Sequence, residues 1–224
     1  AAGQQANIAN QNTYVGSSAG NTLRGSSCTL MGYLAAGNAA DPIKQGNEDV
    51  ILGFAAGYNV VTAQNNVLIG SRSGFELDFA VGNVCVGQRA MNVAIAGTQN
   101  SAIGQLAGGD FLNGQSNVFL GSGAGAGFQG GDGAIFIGAN AGGSSNVGSD
   151  KYATGSVIIG TDHDPQIPGV SGKYGINTFS IGYGPYKYIY GVLGLSDPND
   201  AQSPVKTFTS IDDLSSTTVI ADNV

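Results

Sequence analysis

The chain has 224 residues, a net charge of −7 and a pI near 4.3, and only 10% of its residues are charged, against roughly 25% in typical globular domains. Its eight Lys and Arg residues are spread without a cluster, which argues against nucleic acids and anionic membranes as partners, because both attract clustered cations. No stretch approaches the roughly 18 apolar residues that span a bilayer, and the N-terminal sequence lacks the pattern of a signal peptide. We therefore expect neither membrane insertion nor a leader.

Residues 1–11 are interpreted as an N-terminal extension. Two short apolar blocks that end in glycine follow it, Asn12–Gly16 and Cys28–Gly32. A few β-prone residues followed by Gly indicate a short strand that ends in a turn. The same block then becomes strictly periodic, and residues 12–160 are predicted to form one glycine-rich β shaft.

Six repeats with a 17-residue period run from Asp49 to Asp150, which is the signature of a repeat architecture. We number the positions within each repeat from 1, with an apolar run at positions 2–4 and an invariant glycine at position 5. An invariant glycine indicates a positive φ or a close backbone approach, and glycine at this density disfavours helix. The predicted structural glycines are Gly53, Gly70, Gly87, Gly104, Gly121 and Gly138.

Three further features of the repeat carry a structural prediction. Position 1 reads Asp, Asn, Asn, Asn, Asn, Ala, and Asn at one corner of successive rungs is expected to form a hydrogen-bonded ladder. Positions 8 and 15 hold small residues, and position 9 is Gly except at Met91. We expect backbones to approach tightly at these positions.

After the periodic window, glycine-ended blocks return at Ser156–Gly160 and Thr178–Gly182 with longer spacing. The lengthened rungs are read as loop insertions at Asp41–Gln45, Ser144–Ala153 and Asp162–Lys173. About ten rungs are predicted from residue 12 to residue 183. The expected fold is all-β, a repetitive β-roll or β-solenoid with a 17-residue period, packed as a homotrimeric fibre.

The homotrimer is expected from the thinness of each rung. A rung offers about three to five apolar side chains, worth about 1.5–3 kcal/mol each, whereas ordering the backbone and side chains of the rung costs about 1.5 kcal/mol per residue. Association of chains supplies further burial, and small residues at fixed positions favour three chains around an axis, since cyclic trimers close without exposed interfaces. A monomeric solenoid is the alternative.

Residues 161–194 are predicted to be irregular, tyrosine-rich rungs. Tyr186, Tyr188 and Tyr190 alternate along one predicted strand and share a face. A tyrosine face is a candidate receptor or glycan surface, although packing between subunits or capping of the stack is the simpler interpretation. The candidate glycan-binding residues are Tyr174, Tyr183, Tyr186, Tyr188 and Tyr190.

Residues 195–224 contain no glycine and are interpreted as a non-repeating cap or tail, which repeat stacks need at their ends. Within this segment, the residues Ser210–Asp213 are expected to cap one helical turn.

Little in the sequence indicates catalysis, and we expect neither an enzyme nor a cofactor. The only histidine, His163, lies between Asp162 and Asp164, which makes a candidate metal cluster, but a solvated turn is the favoured interpretation and no metal site is predicted. Cys28 and Cys85 occupy different repeat positions and are read as small buried hydrophobes.

The repeat blocks Asn66–Gly70 and Asn117–Gly125 resemble those of bacteriophage tail fibres upstream of a C-terminal chaperone. They are also similar to the head repeats of trimeric autotransporter adhesins, which form a trimeric left-handed β-roll with a shorter period. The resemblance covers residues 12–183. It implies a virion tail-fibre protein that assembles with itself and with other tail or fibre proteins, and that presents recognition of a host cell-surface glycan or protein.

Two other functions share this resemblance. The first is a bacterial trimeric surface adhesin, in which the same repeat architecture would stand on a bacterial cell surface. A tailspike that cleaves polysaccharide requires paired carboxylates, for which Asp110, Asp132 and Asp150 are candidates, but the low carboxylate density and the lack of Trp disfavour it.

Overall fold

In a computed structural model, the described residues are 11–21, 23–37, 45–142 and 154–161, together with three later strands at 178–183, 187–192 and 209–211. These residues contain no helix. The strands in chain order are β1 (Thr13–Val15), β2 (Thr29–Met31), β3 (Gln45–Asn47), β4 (Val50–Leu52), β5 (Thr62–Gln64), β6 (Val67–Ile69), β7 (Phe79–Val81), β8 (Val84–Val86), β9 (Ala96–Thr98), β10 (Ser101–Ile103), β11 (Asn113–Gln115), β12 (Val118–Leu120), β13 (Ile135–Ile137), β14 (Val157–Ile159), β15 (Thr178–Tyr183), β16 (Lys187–Val192) and β17 (Thr209–Ile211).

The strands form two sheets, and each rung contributes at most one strand to each. The first sheet has the order β1-β2-β4-β6-β8-β10-β12-β13-β14-β15-β16-β17, and the second has the order β11-β9-β7-β5-β3. All pairs from β1 to β15 in the first sheet, and all pairs in the second, are parallel. The rest of each rung therefore serves as the crossover that a parallel pair needs.

The register of the first sheet reproduces the sequence period. Val50 pairs with Val67, Val67 with Val84, and so on to Ile135, in five successive steps that each equal one repeat. Ten strands, β1 to β15, run parallel in this sheet. The prediction of an all-β solenoid with a 17-residue period is confirmed.

The glycine at position 5 is required for both of the expected reasons. Gly70 has a φ of +127°, and a Cβ built on it would lie 2.5 Å from the carbonyl oxygen of Gly87 in the next rung. Gly53 shows the same relation to Gly70, with a φ of +142° and a distance of 2.5 Å. No side chain fits between rungs at this corner, because a real Cβ almost never approaches another atom this closely.

The asparagine ladder is present at position 1. The backbone N and the Nδ2 of Asn83 both donate to Oδ1 of Asn66, at 2.9 and 3.1 Å, and Nδ2 also donates to the carbonyl of Gly97 at 2.7 Å. Asn83 in turn accepts from Asn100 in the same way. Each buried Asn thus satisfies its own polar groups and those of the next rung, which removes the cost of an unpaired buried amide.

The core is one cluster of buried side chains that extends from Ala19 to Ile158. Large apolar residues lie at positions 3 and 12, and four phenylalanines pack with ring centroids 5.1 to 5.9 Å apart. Those four are Phe111, Phe119, Phe128 and Phe136. The small residues of position 8, such as Ala107 and Ala124, belong to the same core cluster and are fully buried.

The burial of these small residues corrects one part of the sequence interpretation. Positions 8 and 9 are buried inside the coil of one chain, and at position 15 Ala63, Ala80 and Gly97 are buried in the same way. They leave space for the large residues of positions 3 and 12, and so they do not supply a contact surface for neighbouring chains. A trimer therefore needs a different surface.

The parallel ladder ends at β15. Only three residues separate β15 from β16, which is too short for a parallel crossover, and the two strands pair antiparallel. Strand β17 then pairs antiparallel with β16, so that Ser210 lies opposite Ile189. The prediction of a helical turn at Ser210–Asp213 was wrong for Ser210 and Ile211, which lie in a strand.

Candidate interaction surfaces

The outer side of the first sheet is an apolar strip along the coil. Side chains alternate across a strand, so position 3 points inward while positions 2 and 4 point outward, as the burial of each strand confirms. We call the outward residues the apolar face. They are Thr13, Thr29, Val50, Val67, Val84, Ser101, Val118, Ile135 and Val157 at position 2, and Val15, Met31, Leu52, Ile69, Val86, Ile103, Leu120, Ile137, Ile159 and Ile181 at position 4.

The apolar face carries no charged residue, and its position 4 is Val, Ile, Leu or Met in all ten strands. Five of these side chains are exposed by 41% to 50%, namely Val15, Met31, Ile103, Leu120 and Ile181. With strands about 4.8 Å apart, the face is about 40 Å long. At a width of roughly 10 Å it covers on the order of 400 Å², which is the size of the largest apolar patch on a typical monomer, a patch that is often functional.

The outer side of the second sheet is different. Its outward residues are mostly polar, as in Thr62 and Gln64 of β5, Thr98 of β9 and Asn113 and Gln115 of β11. Exposed apolar side chains on this sheet are concentrated in β7. The outer side of the second sheet is thus mostly polar, whereas the outer side of the first sheet is mostly apolar.

A second surface lies on the turns that follow the first sheet, at positions 6, 7 and 10. Tyr33 stacks on Phe54 with ring centroids 5.8 Å apart, and Tyr58 stacks on Phe75 at 5.2 Å. The guanidinium of Arg72 lies 5.7 Å from the ring centroid of Phe75. We call these five residues and Arg89 the aromatic–arginine patch.

The structure describes part of the tyrosine-rich segment. Tyr183 pairs with Lys187, Gly182 pairs with Tyr188, and Ser180 pairs with Tyr190 in the β15–β16 hairpin. Alternate pairs of an antiparallel ladder share a face, so the backbone register places Tyr188 and Tyr190 on one face and Tyr183 on the other. Tyr174 and Tyr186 lie outside the described residues.

The metal candidates Asp162, His163 and Asp164 also lie outside the described residues. Within the described ranges, no group of three His, Cys, Asp or Glu residues is arranged to hold a metal ion. Of the carboxylates considered for polysaccharide cleavage, Asp110 is exposed at position 11. Asp132 lies at position 16, where its Oδ1 accepts a hydrogen bond from the backbone N of Gln115 at 2.9 Å.

Both cysteines are buried and unpaired, as predicted. Burial raises the pKa of the Cys85 thiol to about 12, and its sulfur lies 3.4 Å from that of Met91. Cys28 stands at position 1, where its backbone N donates to Oδ1 of Asn12 at 2.8 Å and its thiol donates to the carbonyl of Gly46 at 3.3 Å. It takes the place of an Asn in the ladder.

Asp49 is the residue that sequence reasoning did not single out. It occupies position 1 with 1% of its surface exposed, and burial raises the pKa of its carboxyl to about 6, with the negative charge of Glu48 as a further, smaller cause. Hydrogen bonds from Asn66 act in the opposite direction. The signal in the sequence was an acidic residue at a position that holds Asn in the four repeats that follow.

These features define the chain as a parallel β-solenoid with one apolar outer face. Searches against protein-family models, curated proteins and solved structures found no match. No helix long and apolar enough to cross a membrane occurs among the residues described.

Proposed function

We propose that this chain is a non-enzymatic fibre protein of a phage tail or phage-like particle. Its coil acts as a rigid spacer and presents host-surface recognition. The observation that carries this proposal is the apolar face, an uncharged strip that follows the first sheet from Val15 to Ile181. A spacer that works alone in water has no use for such a strip, whereas a fibre built from several coils buries it.

The apolar face also meets the energetic need of a thin coil. Because the outward Val, Ile and Leu side chains are already at least half-buried in one coil, burying the rest of each contributes up to about half of the 1.5–3 kcal/mol of a fully exposed side chain, and the face repeats this gain from rung to rung. Self-association is favoured over a different partner because the strip follows the coil and has the same period, so that identical coils match rung to rung.

Three copies around a common axis is the arrangement we propose. Cyclic symmetry keeps all chains parallel and leaves one end of the fibre for the particle and the other for the host. The resemblance to phage tail fibres and to trimeric adhesin heads favours three copies. The further partners are other tail or fibre proteins and a glycan or protein on the host surface.

Sedimentation of two matched double variants tests the assembly. Ile103→Lys with Leu120→Lys places charges on the apolar face, and Thr98→Lys with Gln115→Lys places them on adjacent strands of the second sheet. At micromolar concentration the unsubstituted chain and the second variant should have the mass of three chains, and the first should have the mass of one. A one-chain mass for the unsubstituted protein would overturn the trimer.

Disulfide trapping covers the case in which the lysine variant fails to fold. An Ile103→Cys variant should cross-link between chains under mild oxidation, because the native Cys28 and Cys85 are buried. The matched Gln115→Cys variant on the second sheet should stay uncross-linked. Equal cross-linking of the two variants would exclude the apolar face as the interface.

Incubation with host polysaccharide tests the non-enzymatic role. We expect no new reducing ends. Turnover that disappears in Asp110→Asn or Asp132→Asn variants would favour a polysaccharide-cleaving tailspike instead.

A further inference from the structure

We propose that the aromatic–arginine patch binds acidic carbohydrate, a sugar chain whose residues carry carboxylates. The site lies on the side of the coil, away from the tyrosine-rich hairpin. This inference rests on the proposed role in host-surface recognition and names the chemical class of the ligand.

The aromatic rings provide the first part of the site. Tyr33 and Phe54 stack on each other while remaining 52% and 48% exposed. Tyr58 and Phe75 form a second stack and are half-buried. Exposed rings that are already held by their neighbours give a large contact area at a low entropic cost, and the C–H faces of a sugar ring suit such a surface.

The rings and the arginines are adjacent along the coil. The backbone N of Ala55 donates to the carbonyl of Tyr33 at 2.9 Å, and that of Arg72 donates to the carbonyl of Phe54 at 2.9 Å. The backbone N of Arg89 donates to the carbonyl of Ser71 at 3.0 Å. Four consecutive rungs therefore place their outward residues side by side.

The charge of the patch determines the class of sugar. Arg72 and Arg89 occupy the same position in neighbouring rungs, whose backbones lie about 4.8 Å apart along the coil, and both are exposed. Like charges at directly neighbouring positions repel each other. Among the described residues neither arginine forms an ion pair, and the whole chain has only eight Lys and Arg against fifteen Asp and Glu. A carboxylate between the two guanidiniums relieves the repulsion and accepts paired hydrogen bonds.

Arg72 is also positioned for binding before the ligand arrives. Its guanidinium lies over the ring of Phe75, which holds the side chain by a cation–π contact and reduces the entropy lost on binding. Glu76 is exposed in the same rung and forms no ion pair with Arg72 among the described residues. Its charge opposes an acidic ligand, so we expect Glu76→Gln to strengthen binding.

Calorimetric titration with trigalacturonate tests the proposal, with galactotriose as the neutral probe. We expect saturable binding of the acid and none of the neutral sugar. Arg72→Gln with Arg89→Gln should weaken binding by about tenfold or more, and Glu76→Gln should strengthen it about twofold. Arg24→Gln removes the same charge from an exposed site in an earlier rung and should leave binding unchanged.

Phe54→Ser tests the contribution of the rings. Position 6 is already serine in other rungs, at Ser17, Ser71 and Ser122, so the coil accepts this change. Binding of trigalacturonate should weaken about fivefold, with an unchanged melting temperature.

Three outcomes would overturn the inference. They are equal binding of the neutral sugar, an equal loss in Arg24→Gln, and no saturable binding at millimolar trigalacturonate. Sedimentation of the same samples separates this result from the proposed function. A three-chain fibre that does not bind rejects the patch alone, whereas a one-chain coil that binds rejects the fibre alone.

Discussion

Oδ1 of Asp49 accepts two hydrogen bonds from Asn66, one from the backbone N at 2.8 Å and one from Nδ2 at 3.0 Å. Asp49 therefore fills the accepting role that Asn has in the following rungs. It differs in that an ionised carboxylate has no hydrogen to donate. Asn66, by contrast, donates from Nδ2 to the carbonyl of Ala80 at 3.1 Å.

Asp49→Asn should stabilise the coil at neutral pH and remove a pH dependence. The pKa of Asp49 is about 6 in the folded chain against an ordinary value of 3.8, so the folded state holds the proton more tightly than the unfolded state. Protonated Asp49 therefore stabilises the folded chain. This contribution to the unfolding free energy is fully present below the ordinary pKa, and up to about 3 kcal/mol of it is lost as pH rises through 6. Urea unfolding from about pH 4 to pH 8 measures this.

The difference between Asp49→Asn and the unsubstituted chain isolates this group from the other carboxylates. Glu48 and Cys28 are the ionisable neighbours. A difference in unfolding free energy that stays constant across this pH range would contradict the prediction.

Gly70→Ala should destabilise the coil by about 3 kcal/mol or more, because the new Cβ would meet the carbonyl oxygen of Gly87 at 2.5 Å and the backbone would have to shift. Gly133→Ala is the matched control. Its φ is also positive, at +67°, but a Cβ there has no atom within 4 Å, so only the backbone penalty of about 1–2 kcal/mol applies. Thermal unfolding should show a clearly larger loss of stability in Gly70→Ala than in Gly133→Ala. Equal losses of stability would mean that the positive φ, and not the close approach of the next rung, is the reason for the glycine.

Asn83→Ala should cost about 3–5 kcal/mol, since it removes the acceptor for two donors of Asn100 and the donor to Gly97. Asn113→Ala, on the exposed side of β11, should change stability by less than about 0.5 kcal/mol. Denaturant unfolding measures both. A small loss in Asn83→Ala would mean that water replaces the ladder.

Met91→Gly restores the repeat consensus and should nevertheless destabilise the chain. Met91 is fully buried beside Cys85, in a part of the coil where Ala94 and Ala102 replace larger residues. Removing the Met91 side chain leaves a cavity that costs about 2–5 kcal/mol. Glycine relieves the strain of the positive φ of +45° at this position, which offsets about 1 kcal/mol of that cost.

Ala102→Leu provides the control for this cavity. Alone it should overpack the coil and cost about 1–3 kcal/mol, whereas in the Met91→Gly background it should recover part of the loss. A double-mutant cycle measures the coupling, and purely additive effects would contradict the volume argument.

The sequence predicted the rungs and the ladder because both depend on neighbours at a fixed distance along the chain. Gly70 and Asn83 contact residues that lie one repeat away along the chain, so the period of the sequence predicts the contact. Whether the side chain at a given position points into the core or outward depends on how the rung winds, and the period of the sequence does not show this. For this reason the small residues of position 8, such as Ala107, were expected to allow three chains around an axis, whereas Ala107 lies in the core of its own chain.

The two candidate surfaces could not be predicted from the sequence for related reasons. In Ser101–Ile103 the sequence indicated an apolar strand, but it did not show that position 4 points outward in every rung. Tyr33 and Arg89 are distant in sequence, and only the stacking of four rungs brings their positions onto one side. Met91 departs from the glycine of position 9 in the sequence, but its physical reason lies in the small volumes of Ala94 and Ala102, which only the fold brings into the same part of the core.

The in-register step of one repeat per rung has a consequence for the length of the coil. Among the described residues, the backbone hydrogen bonds between rungs join each rung to the rungs before and after it, so whole rungs can be gained or lost without redesign of the others. The length of the coil then changes in steps of about 4.8 Å per rung. Duplication of the stretch of the gene that encodes one rung is therefore enough to lengthen the coil by one step, so the number of repeats sets the distance between its two ends.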